Sequence, residues 1–200
     1  EVIIANVLYS WRGGMQTLPG APWGKVFDAG YIKKNKVEYP EGIFNIEDVV
    51  FNLKAIDGME QVIYLSEPVY DYYMNMDSLS NIAFQKNGER LINNFGAVNQ
   101  HAEQILLNKN NHLYEEAYHG LIFYEVKAIL YWTADEKDKD KKAAGREFCY
   151  SQRQELRKHL GCKCSLSDRV LRVLCLMRWF GMVELIVGIH KKLKRVLNRR

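Results

Sequence analysis

The spacing of apolar residues changes character near Ala83, and no feature of this 200-residue chain restricts its fold more. Ahead of that point, apolar residues form short β-prone runs at 2–9, 62–65 and, beyond Pro68, 69–73. Runs of that length read as strands buried on both faces. Between them, residues 23–36 predict a short helix whose Lys33, Lys34 and Lys36 suit the negative end of a helix dipole. Residues 46–56 predict another, with Val49, Val50, Leu53 and Ile56 at helical spacing and Asn45 as N-cap. Strand, loop, helix, loop, helix, strand is an α/β order.

Beyond Ala83 the period is helical. Leu91, Phe95, Val98, Ala102, Ile105 and Leu106 mark one amphipathic helix, and Leu113, Ala117, Leu121, Ala128 and Leu130 mark the next, ending near Trp132. Residues 134–145 read as a charged, solvated connector, and 146–160 as a third helix stopped by Gly161. Ser165 or Ser167 caps a last helix running towards Arg200, with Asp168 three residues after Ser165. Three parts are expected: an α/β part at 1–85, a helical region at 86–165, and a basic amphipathic tail at 166–200.

Apolar residues make up 48% and charged residues 26% of the chain, enough to bury a core and to exclude wholesale disorder, collagen and coiled coil. The net charge of +4 is uneven, about −4 over residues 1–90 and +8 over 91–200. Residues 166–200 hold nine basic side chains against Asp168 and Glu184, which points to an anionic partner for the tail. Four cysteines, Cys149, Cys162, Cys164 and Cys175, all lie in the last third and form no framework for the whole chain, so a reducing compartment is expected. His159, Cys162 and Cys164 are close in sequence, but C-x-C is tighter than the usual zinc pair and a fourth ligand is not evident, so no metal is expected on this chain. His101, His112, His119 and His190 have no partner arrangement for a triad, and no phosphate-binding glycine loop is present. Glu1 in place of methionine, followed at once by apolar residues, is expected of a fragment or processed product without a signal peptide.

Five segments carry the chemistry: Ala21-Pro22-Trp23-Gly24-Lys25-Val26-Phe27, Tyr39-Pro40-Glu41-Gly42, Glu47-Asp48, Glu67-Pro68-Val69-Tyr70-Asp71-Tyr72 and Asp77-Ser78-Leu79-Ser80. In order and spacing they resemble the second, acceptor-side half of bacterial family 2 glycosyltransferases, over roughly residues 1–85. The resemblance implies a partial Rossmann-like sheet-and-helix fold of the GT-A type, followed by a helical C-terminal region. It implies an inverting enzyme with a nucleotide-sugar donor, acting in cell-surface polysaccharide biosynthesis. The donor-binding half, with the Asp-rich motif that holds a divalent metal (Mg or Mn), would precede residue 1. Asp138-Lys139-Asp140 fits D-x-D only formally, inside a lysine-rich run. One departure from the family is Met74-Asn75, where relatives often place an arginine that would hold an anionic group.

Inverting sugar transfer needs a base to take the acceptor hydroxyl's proton, and a partly desolvated carboxylate within hydrogen-bond reach serves best. By the resemblance Asp48 is that base and Glu47 its neighbour. Acidic residues in a first helical turn are also favoured by the helix dipole alone. Trp23 is placed as an acceptor platform, since sugar rings stack on aromatic faces, or else as a core tryptophan. Lys25 is placed near a phosphate of the donor or lipid carrier, or else on the surface. Tyr70, Tyr72 and Tyr73 read as strand residues packing on both faces.

In the tail, residues 173–190 carry only Arg178 and Glu184 as charges and would reach about 27 Å as a straight helix. That is short of a hydrocarbon core of about 30 Å. With basic residues on either side, the tail reads as an interfacial segment on an anionic membrane. A core helix with a frayed basic end is the plainer alternative, and nucleic acid ranks last. The expected location is cytoplasmic, peripheral on the inner face of the cell membrane. A strand edge at 2–9 without a neighbour invites a homo-oligomer. The rival functional class is a non-catalytic module that binds a membrane surface or partner, derived from a truncated glycosyltransferase.

Overall fold

The computed structural model describes residues 23–44, 46–63, 65, 67, 70, 71, 73, 88–158 and 165–197. Every regular element among them is a helix: α1 (Ala29–Lys34), α2 (Glu47–Asp57), α3 (Gly88–Leu106), α4 (His112–Thr133), α5 (Lys139–Ser151), α6 (Arg153–Lys158), α7 (Leu166–Leu176) and α8 (Phe180–Leu197), with a 3₁₀ turn at Leu107–Lys109.

The expected α/β, Rossmann-like GT-A architecture is thereby corrected. No described residue lies in a strand. Val62, Ile63 and Leu65 run as irregular chain, with Ile63 75% and Leu65 61% exposed, and Tyr70 and Tyr73 are exposed as well. The reason is physical. A helix closes its hydrogen bonds within its own segment, whereas a strand must find a partner segment, so a short apolar run does not make a strand by itself. The expected strand at 2–9 lies outside the described residues.

Two compact units are present, residues 1–81 with 94–118, and residues 82–93 with 119–200. In the first, Asp28 caps α1 by accepting the Tyr31 N–H at 2.6 Å, while Lys33 and Lys34 sit at its negative end. Helix α2 starts from Ile46, with no side-chain cap. It buries Val50, Leu53 and Ile56, and the buried Asn52 donates to the Asp48 carbonyl at 2.8 Å. Phe95, Val98, Ala102 and Leu106 of α3 repeat at helical spacing and are fully buried. Asn94 donates to the Phe44 carbonyl, and Lys109 pairs with Asp57.

In the second unit α4 is buried almost all round, through Leu121, Ile122, Phe123, Val126, Ile129, Leu130 and Trp132. A helix without a polar face is a central one. The expected connector is helical from Lys139: Asp138 accepts the N–H groups of Asp140 and Lys141 at 2.9 and 3.1 Å and so starts α5. The D-x-D sequence is therefore used as a helix cap. Ser165 caps α7 as expected, accepting the Asp168 N–H at 3.1 Å. The single tail helix is instead two, interrupted at 177–179, where Arg178 adopts a left-handed φ of 58°. Helix α7 packs against α5, α6 and α8. Its Arg172 is wholly buried, with the guanidinium 4.0 Å from the centroid of the Phe123 ring. Among the described residues, no helix is long and apolar enough to cross a membrane.

Candidate functional site

Phe51, on the middle of α2, gathers the expected motifs. Its ring meets Phe27 edge-on at 5.5 Å and stacks on Tyr39 at 4.4 Å with an interplanar angle of 13°. Aromatic pairs prefer these two geometries, each contributing about 0.5–1.5 kcal/mol beyond the area they bury. The Trp23–Phe27 segment and the Tyr39–Gly42 segment are thereby held on the helix that begins with Glu47 and Asp48. Both segments turn at a glycine. Gly24 has φ +72° and Gly42 φ +75°, with open space where a Cβ would stand, so backbone conformation rather than crowding calls for glycine there. Next to Gly24, Lys25 is half-buried while Val26 is 98% exposed.

Four polar groups converge. Burial pushes the Asp48 carboxyl above its ordinary range, Glu47 adds to the rise, and Lys25 opposes it. Burial pulls the Lys25 ammonium down, and Asp48 opposes that shift. Tyr39 is pushed up, first by burial and then by Asp48 and Glu47. Glu47 Oε2 is buried with no hydrogen-bond partner among the described residues. The cluster is thus a carboxylate that holds a proton more readily than usual, with an ammonium and a phenol in its field. That is the electrostatic setting of a general base, and a neighbouring cation suits an anionic leaving group.

Of the residues expected at a site, Lys25, Glu47 and Asp48 come together. Trp23 is placed differently: it is exposed and stacks on Tyr70 at 5.6 Å with an interplanar angle of 17°. It is not a core tryptophan, and the tyrosine it covers belongs to a segment expected to be a strand. Tyr39 and Phe51 were missed as site residues. Tyr39 stood in the quoted Tyr-Pro-Glu-Gly turn, and Phe51 falls four residues after Glu47, where a helix brings side chains to one face. Residues 77–80, together with His159, Cys162 and Cys164, lie outside the described residues. Cys149 and Cys175 are buried free thiols, and burial, followed by its neighbour Cys175, pushes Cys149 well up. Such a thiol packs rather than reacts.

The divalent metal implied by the resemblance does not fit the described residues. No group of three or more His, Cys, Asp or Glu side chains comes together among them, and the Glu47–Asp48 pair falls short of the six oxygen ligands that a hard cation takes. No family model, curated protein or solved structure matches the chain.

Proposed function

We propose that the chain supplies the acceptor side of an inverting glycosyl transfer. Asp48 takes the proton of the acceptor hydroxyl as its oxygen bonds to the anomeric carbon, the bond from that carbon to the donor phosphate breaks, and a nucleoside diphosphate leaves with the bonding electrons. Lys25 balances charge on the leaving phosphate or on a lipid carrier, and the exposed Trp23–Tyr70 pair gives a sugar ring an aromatic face. The observation that carries this reading is the half-buried Asp48 carboxyl, raised by burial and set against Lys25, at the point where three motif segments meet on Phe51. The nucleotide sugar, and any divalent metal with it, would be held outside these 200 residues. The acceptor would be a sugar or lipid-linked sugar of a cell-surface polysaccharide, reached from the inner face of the membrane.

The test is glycosyl transfer by the enzyme completed with its donor-binding part. Asp48→Asn should cut turnover by about a hundredfold or more, in line with loss of a general base. Near-normal turnover would remove Asp48 from the chemistry. A second reading, a non-catalytic binding module, is favoured by one observation, the apolar outer surface of α7 and α8. It would be preferred if no transfer were seen with the completed enzyme.

A further inference from the structure

We infer that α7 and α8 together form a surface that docks on an anionic phospholipid bilayer. Two apolar stripes carry it. On α7, Leu166, Val170 and Val173 repeat at i, i+4, i+7 and are all exposed, Leu166 at 77%. On α8, Met182, Leu185, Ile186, Ile189 and Leu193 repeat at i, i+3, i+4, i+7, i+11 and are exposed, Leu185 at 64%. Exposed Met177 and Trp179 continue the apolar run through the turn between the two helices. Each helix already has a buried stripe, Leu171, Leu174 and Cys175 on one and Phe180, Val183 and Val187 on the other. The outer stripes are therefore surplus to the fold, and exposed apolar residues gathered along one side of a helix mark a candidate interaction site.

Charge selects the occupant. The two acidic residues of 165–197 both face inward. Asp168 is buried and paired with Lys127 at 2.7 Å, and Glu184 takes Arg146 at 2.6 Å and Lys142 at 3.1 Å. The exposed charged side chains described on the two helices and their turn are basic: Arg169, Arg178 and Lys192. Arg178 stacks on the Tyr150 ring at 3.6 Å, which holds its charge at the turn beside Trp179. Acids of neighbouring segments take part of this charge, since Arg178 pairs with Glu147 at 3.6 Å and Lys191 with Asp135 at 2.5 Å, but the exposed charges of the two helices themselves are cations. Such a stripe suits acyl chains below and anionic headgroups beside it, and a tryptophan at the rim suits the boundary between them. A second copy of the chain would instead bring like charges together around the same stripes. Since no described helix can span a bilayer, the pair would lie in the interface plane.

The surface shares no residue with the Asp48 cluster, so its test needs no sugar transfer. The full chain is sedimented with phosphatidylcholine vesicles containing about one-third phosphatidylglycerol, and with pure phosphatidylcholine vesicles. Binding at least roughly tenfold stronger to the anionic vesicles, and weakened by added salt, is expected. A Leu185→Glu/Ile189→Glu chain should lose that binding while keeping its circular dichroism, since both positions face solvent. An Arg169→Glu/Lys192→Glu chain should lose the preference for anionic lipid. Absence of binding at low salt, or equal binding to both vesicles, overturns the inference. So does a dimer in solution that the Leu185→Glu/Ile189→Glu substitutions dissolve without changing vesicle binding.

Discussion

Lys25 and Asp48 each resist what burial does to the other: Asp48 holds the Lys25 ammonium up, and Lys25 holds the Asp48 carboxyl down. Removing the ammonium leaves burial and Glu47 acting on Asp48 without opposition. Lys25→Met should therefore move the Asp48 titration to higher pH, and with it the acid limb of kcat/KM in the completed enzyme. Lys25→Arg keeps the charge and should restore the limb. A carbon-13 NMR titration of the aspartate carboxyls checks the shift without a turnover assay, and an unmoved titration in Lys25→Met would contradict the pairing.

Asp48→Asn should cost activity without costing stability. The folded chain binds the Asp48 proton more tightly than the unfolded chain does, so ionising this group works against folding. That penalty is fully present above the raised folded pKa and vanishes below the ordinary aspartate pKa. The melting temperature of Asp48→Asn should equal or exceed that of the parent at pH 7. Any gain should shrink to nothing by about pH 3, where both states of the parent are protonated. A fall in Tm at pH 7 would argue that the carboxylate is a structural element of α2.

Two helical glycines should respond in opposite directions to alanine. At Gly145 of α5 a Cβ would overlap Thr133 Cγ2 and the Trp132 ring, so Gly145→Ala overpacks the second unit and should cost about 1–3 kcal/mol. Gly96, exposed within α3, has open space at the same position, and Gly96→Ala should gain about 0.4–1 kcal/mol. Thermal melts separate the two, at roughly 2–4 °C per kcal/mol for a chain of this length.

Ser165→Ala deletes the acceptor for the Asp168 N–H and should cost about 0.5–2 kcal/mol. Because α7 packs on α5, α6 and α8, the loss should appear in the global melt rather than as local fraying. Ser165→Asp, which keeps a capping oxygen, should recover most of it.

Legibility in the sequence followed the range of the interactions. The expected helices at 46–56 and through Leu91–Leu106 came within a few residues, and one of the two serines offered as a cap, Ser165, is the one used, because each depends on contacts three or four residues apart. The strands at 62–65 and 69–73 failed because pairing is non-local, and apolar content at Ile63 and Leu65 says nothing of a partner. The start of α5 was missed because a charged run reads as solvated, although Asp138 and the Ala143-Ala144 pair favour a helix. The break at Arg178 carries neither glycine nor proline to announce it. At the candidate site the proximity of Glu47 and Asp48 was legible, while the aromatic clasp of Phe27, Tyr39 and Phe51 exists only once three segments meet.

Arg178 also sets a length. A left-handed backbone at a residue with a side chain costs about 1–2 kcal/mol, and stacking of its guanidinium on Tyr150 offsets part of that cost. Were residue 178 right-handed, residues 166–197 would run on as one rod of about 48 Å, well over the thickness of a bilayer core of about 30 Å. With the turn in place, the same stretch becomes two shorter helices that pack on each other within the second unit. One dihedral angle thus decides how far the end of α8 is carried from α7.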